Sequence, residues 1–252
     1  MLEQNQEVVV KKDESLGALI NLKIFVGKTD EAIALLQSRT FSIAEGGSAF
    51  SSGQAWVNAH LVRGLEHYGK KQYREALADF ETAVNLPDNL RSEQRSFRQE
   101  EINYWTGCAL SALGEKDKAR QAWEKVVNPR NESRGEDGGG QPLVMIHVTQ
   151  GEQHYYQALA KQKLGNKEGN EAIFNELITS GAALNQPVST GANTSQSFRR
   201  QSSSRTNISL AHYIAGLGYT GLGNKTKARE EFNAALASSP DYLDAKIALS
   251  QF

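Results

Sequence analysis

Near the end of the chain four residues stand at fixed intervals: Gly216, Ala228 twelve residues on, Phe232 four further, and Ala235 three after that. The same skeleton recurs upstream. Gly64, Ala76, Phe80 and Ala83 repeat it, as do Gly107, Ala119, Trp123 and Val126, then Ala158, Asn170, Phe174 and Leu177. Ile20, Ala32 and Leu36 keep its first two intervals. Intervals of three and four put side chains on one face of a helix, and the gap of twelve leads from one helix into the next. The chain therefore reads as five helix pairs, each too small to bury its apolar face alone and completed by its neighbours. A non-repetitive helical bundle has no reason to keep one spacing five times.

The rest of the composition excludes more than it identifies. A hydrophobic share of 39% over 252 residues and a mean hydropathy of -0.52 are low for one globule, but they suit an array that exposes two long faces. The net charge of -1 gives no global field for nucleic acid or an anionic membrane. Cys108 is the single cysteine, so an intrachain disulfide and a cysteine-based zinc site are both excluded. The first residues, MLEQNQEVVVKKDES, lack the apolar core of a signal peptide, and no apolar run approaches transmembrane length. A reducing, cytoplasmic compartment is expected, with no membrane partner. Met1 is also read as an artificial start, behind which an address segment could have been lost.

Residues 1–13 are expected to be disordered or foreign to the fold, and 14–252 to form one all-α solenoid. The pairs are placed at about 14–38, 55–85, 100–127, 151–179 and 208–238, with a capping helix at 242–251. Gly27 breaks the first pair, and Asp30 and Glu31 suit the positive end of its second helix. Pro87-Asp88-Asn89 ends the second. PRNESRGEDGGGQP, from Pro129 to Pro142, is a flexible loop by composition. The Ser/Thr/Asn-rich run 181–207 cannot bury enough apolar area to offset its ordering entropy, so partial disorder is expected there.

This pattern resembles the tetratricopeptide repeat, a helix–turn–helix of about 34 residues. The resemblance implies a right-handed α–α superhelix whose concave face is lined by the first helix of each pair. It implies a non-catalytic scaffold without cofactor or metal, which binds a protein or peptide, a second copy of the chain being an allowed partner. Small residues are expected at the helix crossings, Gly64 against Ala76, Gly107 against Ala119 and Gly216 against Ala228, with Phe80, Trp123, Phe174 and Phe232 filling the groove beyond. One departure stands out. Ile20, Gly64, Gly107, Ala158 and Gly216 are 44, 43, 51 and 58 residues apart, so every junction carries an insertion. In a solenoid such insertions emerge on one edge, often the functional one.

A narrower resemblance rests on the phrase around Phe41 with Glu45-Gly46-Gly47, on Leu86-Pro87-Asp88-Asn89-Leu90, on Tyr155-Tyr156-Gln157-Ala158-Leu159, and on His212-Tyr213 through Ala245. From about Ser15 to Phe252 the chain looks like the C-terminal repeat region of a bacterial family of unknown function. Longer members of that family place a galactose-mutarotase-like β-sandwich before the repeats. No sugar-active residue carries over, and the Ser-rich 186–207 departs from that family.

With Gly64 set at position 8 of the repeat, candidate concave-face residues follow. Position 5 holds Leu61, Tyr104, Tyr155 and Tyr213, a ladder of apolar rings with polar tips suited to an extended ligand. Position 2 holds Asn58, Glu101, Glu152 and Leu210, and position 9 holds Leu65, Cys108, Leu159 and Leu217. The competing reading is that these tyrosines pack against neighbouring helices or under the chain's own loops. Position 4 holds His60, Asn103, His154 and His212. Equivalent sites on packed helices lie about 8–10 Å apart, too far to converge on one zinc at about 2 Å, so hydrogen bonds between helices are the expected role.

Other motifs carry less. Gly216-Leu217-Gly218-Tyr219-Thr220-Gly221 spells GxGxxG, but it lies inside a helix pattern with no strand before it, so dinucleotide binding is rejected. Gly138-Gly139-Gly140 lacks the Lys-Ser/Thr of a phosphate loop. Arg199-Arg200-Gln201-Ser202 resembles a basophilic kinase site, and the plainer reading is a solvated basic loop. The sequons at Asn131, Asn193, Asn207 and Asn224 are read as unglycosylated without a secretory signal. No GxSxG, HExxH or CxxC occurs, and Glu100-Glu101 and Glu230-Glu231 read as solvated faces, so no catalytic residue is assigned. Two readings remain: a scaffold that binds on its concave face, and an accessory module that packs on a β-sandwich domain.

Overall fold

One residue dictates the turn inside each pair. In the computed structural model Gly27, Gly114, Gly165 and Gly223 have φ of 83°, 84°, 88° and 77°, and Lys71 takes the same left-handed conformation at 62°. Each stands seven residues after the first residue of its skeleton. The next residue returns its N–H to a carbonyl five positions back: Lys28 to Lys23, Gln72 to His67, Glu115 to Leu110, Asn166 to Lys161 and Asn224 to Tyr219, all at 2.8–2.9 Å. This cap satisfies the orphan carbonyls of the first helix and reverses the chain.

The structure describes residues 12–41, 50–90, 98–129, 143–184 and 197–252, with side chains throughout except at 143–149 and 197–204. The described residues form α1 (Asp13–Phe25), α2 (Thr29–Gln37), α3 (Ser52–Gly69), α4 (Tyr73–Ala83), a 3-10 turn (Asp88–Leu90), α5 (Gln99–Ala112), α6 (Lys116–Val127), α7 (Leu143–Lys163), α8 (Asn170–Leu184), α9 (Ser197–Gly221), α10 (Lys225–Ser238) and α11 (Leu243–Leu249). The fold is all-α, with no strand among the described residues. Where one continuous array is expected, the chain divides into two compact units, Met1–Ser133 and Arg134–Phe252. The division falls in PRNESRGEDGGGQP, which offers almost no apolar side chain to join its flanks.

Several boundaries differ from the pattern. Helix α3 starts three residues before the expected Ala55, because Ser51 caps it by accepting from Gln54 N at 3.2 Å. Helix α7 starts at Leu143, directly after Pro142, eight residues before the expected Gly151. Helix α8 begins at Asn170, directly after Gly169, which is held at φ 74°. The expected flexible run 181–207 is helical at both ends, where α8 continues to Leu184 and α9 begins at Ser197. The expected disorder of 1–13 lies mostly outside the described residues, while Asp13 already belongs to α1.

In the first unit α1/α2, α3/α4 and α5/α6 are antiparallel pairs. At the crossings the atoms nearest each glycine belong to the aromatic of the second helix. A Cβ on Gly64 would meet the Phe80 ring at 2.6 Å, and one on Gly107 would strike the Trp123 indole. In the second unit Gly216 takes Phe232 in the same way, at 2.5 Å. The aromatic occupies the space that the glycine leaves bare, and Ala76, Ala119 and Ala228 are fully buried. The other two glycines of GLGYTG serve the opposite side of α9, where Gly218 would meet the Phe174 carbonyl at 2.5 Å and Gly221 lies against the Phe174 ring. The motif thus lets α9 pack closely between α8 and α10.

Described residues between the pairs, and the end of the chain, pack onto the helices. In the first unit Phe50 sits on Gly17 of α1 and pairs with Phe41 at 5.4 Å, and Arg39 binds Asp13 at 2.6 Å. Asn89 donates to the carbonyls of Leu36 and Arg39 at 2.9 and 2.8 Å, closing the end of α2. In the second unit α11 covers the last pair, with Tyr242 edge-on to Tyr213 at 5.4 Å and Phe252 against Phe232 at 6.1 Å.

Candidate functional site

The position-5 ladder is interior. Leu61 is fully buried, and Tyr104, Tyr155 and Tyr213 are only 8%, 5% and 2% exposed. Gly17, the same position in the first pair, lies under Phe50. The three rings are thus largely enclosed by the chain itself. Tyr155 packs edge-on to Tyr156 and Phe174, and Tyr213 is held between Phe232 and Tyr242. Burial drives the Tyr213 phenol well above its ordinary pKa, and the nearby carboxylates of Glu152 and Asp244 push it the same way.

Position 2 remains partly open. Asn58 and Glu152 are half-buried, whereas Glu101 is 5% exposed and closed by Arg98, whose Nε donates to it at 2.6 Å. Arg98 also reaches across to α3, donating from Nη1 to Asn58 Oδ1 at 3.4 Å. Gln54 Nε2 donates to the same oxygen at 2.9 Å. Two predicted residues from different pairs, Asn58 and Glu101, are thus joined through Arg98, with Gln54 as a fourth member. The spacing analysis misses Arg98 and Gln54. Their signal is local: Arg98 precedes Glu101 by three residues and Gln54 precedes Asn58 by four, both same-face intervals on a helix. Arg98 sits just before α5 at φ 55°, a left-handed conformation that costs a non-glycine residue about 1–2 kcal/mol.

The histidines of position 4 divide. His60 Nδ1 meets Asp79 Oδ1 at 2.9 Å and His212 Nδ1 meets Glu231 Oε2 at 2.7 Å, each across its own helix pair and nineteen residues apart. Both are the hydrogen bonds between helices that the spacing calls for. His154 is exposed, and Asn103 accepts from Gln99 at 3.3 Å within α5. Around Asp79 a larger network forms. Arg63 donates from Nε at 3.0 and 3.1 Å and from Nη2 at 2.6 Å, and it extends Nη1 to Asp30 at 2.5 Å. His67 Nδ1 lies 3.2 Å from the second oxygen. Burial is the largest influence on Asp79 and pushes its pKa up, yet the bonds from His60 and Arg63 outweigh it and hold the carboxyl below its ordinary value. Arg63 is raised, chiefly by its bond to Asp79. Such a network neutralises its own charge and ties α2, α3 and α4 together, with no nucleophile at its centre.

Among the described residues no group of three or more His, Cys, Asp or Glu could hold a metal ion. No described helix is long and apolar enough to cross a membrane. Gly138–Gly140, Asn131, Asn193 and the side chains of Arg199, Arg200 and Ser202 lie outside the described residues. Asn224 caps α10 by accepting from Lys227 N at 3.2 Å.

No solved structure gives a significant match to the chain. Residues 102–128, which run from α5 through the end of α6 and contain Gly107, Ala119, Trp123 and Val126, match the family model described as tetratricopeptide repeat, so this part of the chain carries a tetratricopeptide-like helix pair.

Proposed function

We propose that the chain is a non-catalytic helical-repeat scaffold that holds an extended segment of a protein or peptide partner, with its contact surface where α3 and α5 adjoin. The observation that carries this reading is the cluster of Gln54, Asn58, Arg98 and Glu101. It joins predicted surface residues of two pairs and stays partly open while the tyrosine ladder is covered. Glu152 belongs to the corresponding surface of the second unit. The match at 102–128 supports a scaffold, as repeats of this kind are interaction modules. A single buried cysteine accords with a reducing, cytoplasmic compartment. Panning a random dodecapeptide library on the immobilised chain tests the reading. Recovered peptides should lose binding when Asn58 and Arg98 are both replaced by alanine, while the helical signal by circular dichroism persists. A library that yields no binder defeats it.

A second reading is favoured by the covering of the inner positions. With Phe50 on Gly17 and Tyr242 on Tyr213, the chain fills part of its own face. On this reading the repeats are an accessory module that packs on a β-sandwich domain and takes no free ligand. The genomic reading frame around this segment separates the two, since the accessory module requires a sandwich domain encoded with it.

A further inference from the structure

Helix α1 is apolar on two sides. Its inner side, Leu16, Leu19, Ile20 and Ile24, is buried where α1 packs with α2 and α3. Its outer side carries a second stripe. Ser15, Ala18, Leu22 and Phe25 follow one another at intervals of three, four and three, with Val26 four after Leu22, so all five share one face. Leu22 and Val26 are 45% and 51% exposed, more than any other large apolar side chain among the described residues. A helix that is apolar all round belongs in an interior, and a pair that ends an array needs a polar outer face. The stripe breaks both rules unless something covers it, and its layout points to what does. The small residues, Ser15 and Ala18, stand in its first half, and the large ones, Leu22, Phe25 and Val26, in its second. Two such stripes laid head to head put large against large. Laid head to tail, they put each large residue against a small one, as packing to interior density requires. The charges agree. Glu14 is exposed at the start of the stripe, and Lys28 is exposed just past its end, its Nζ 4.0 Å from Glu31 Oε1. A head-to-tail pair brings Glu14 to Lys28 twice, whereas a head-to-head pair sets like charges together.

We propose that two copies of the chain associate through the outer face of α1, antiparallel about a two-fold axis, with Leu22 of each copy near the centre and Glu14 of each facing Lys28 of the other. A single helix face is smaller than the roughly 800 Å² per partner of a standard interface. The dimer is therefore weak, with a dissociation constant on the order of 10–100 µM.

Sedimentation equilibrium of the full chain, from micromolar to millimolar concentration, tests this. The unaltered chain should show a reversible monomer–dimer equilibrium. Leu22→Asp sets two carboxylates against each other near the centre and should leave a monomer throughout. Its helical spectrum should be unchanged, because the side chain it replaces already meets water. Glu14→Lys and Lys28→Glu should each weaken self-association about tenfold, since two exposed pairs turn from attraction to repulsion. A mixture of these two variants should recover the affinity of the unaltered chain, because opposite charges face each other again in the mixed pair. An unaltered chain that stays monomeric at every concentration overturns the proposal and leaves the stripe to the chain's own first residues or to another protein. A dimer that survives Leu22→Asp, or a mixture no tighter than its two components, overturns it as well.

Discussion

The second and fifth helix pairs carry the same staple at the same two repeat positions, and the surroundings make them different objects. His60–Asp79 is enclosed, with both side chains 4% exposed, and Arg63, Asp30 and His67 extend it into a network. His212–Glu231 has no further partner among the described residues, and its side chains are 23% and 28% exposed. Sequence spacing is identical, and energetic weight is set by desolvation. A carboxylate removed from water must be matched by several donors, whereas an exposed one is solvated whether or not its partner stays.

The largest effect expected from breaking this comparison is on Asp79. Asp79→Ala leaves the buried His60 without its carboxylate and takes three bonds from Arg63, which keeps Asp30, and should cost about 3–5 kcal/mol in urea unfolding, while Glu231→Ala should cost less than about 1 kcal/mol. Similar losses at the two sites would show that burial does not separate them. Next in size is the glycine seat that the pairs share. Gly64→Ala and Gly216→Ala each drive a methyl into an aromatic ring, Phe80 or Phe232, and should each cost about 1–3 kcal/mol. A large disparity between them would mean that one unit relaxes more easily than the other.

The smallest effect at neutral pH concerns the turns. Lys71 holds the left-handed conformation that Gly223 holds in the fifth pair. Lys71→Gly should raise the melting midpoint by relieving about 1 kcal/mol of strain, and Gly223→Ala should lower it by about the same amount. Unchanged midpoints in both variants would place the strain elsewhere.

Titration sharpens the contrast at the two ends of the pH scale. The Asp79 carboxyl is held below its ordinary value, so its contribution is present above the unfolded carboxylate pKa of about 4 and is lost as pH falls through the lower folded value. An Asp79→Asn variant should therefore show a flatter acid limb of stability than the parent. Tyr213 in the second unit is raised, so its contribution is present below the unfolded phenol pKa of about 10 and is lost as pH rises through the folded value. Tyr213→Phe should blunt the alkaline limb, and an alkaline limb that persists in full would assign it to other phenols. Tyr68, pushed up to about 12 chiefly by burial, titrates in the first unit.

Much of the fold is legible because its causes are local. A glycine seven residues past the skeleton's first residue closes four of the five turns, Lys71 closing the other, and the interval of sixteen from Gly64 to Phe80 recurs from Gly107 to Trp123 and from Gly216 to Phe232. The helix extensions were less legible. Leu143–Gln150 carries no skeleton residue, and Gly181 opens the run whose composition suggests partial disorder, although it faces the Ala211 carbonyl at a tight crossing of α8 and α9. A glycine that packs and a glycine that breaks a helix look alike until the neighbouring helix is known. The candidate site was legible by half. Asn58 and Glu101 follow from repeat position, whereas Arg98 enters through a backbone conformation that no spacing announces.

What the chain's own pattern determined is the helix pair, its count and its turn, since these depend on residues within one pair. What the tertiary structure decided is which inner positions stay open. Tyr213 resembles a surface ladder until Tyr242, twenty-nine residues later, lies across it, and Gly17 is bare until Phe50, thirty-three residues later, occupies it. Burial is a property of what comes back to cover a residue, and the covering segment is set by where loops and caps fold, which no periodicity within a pair records.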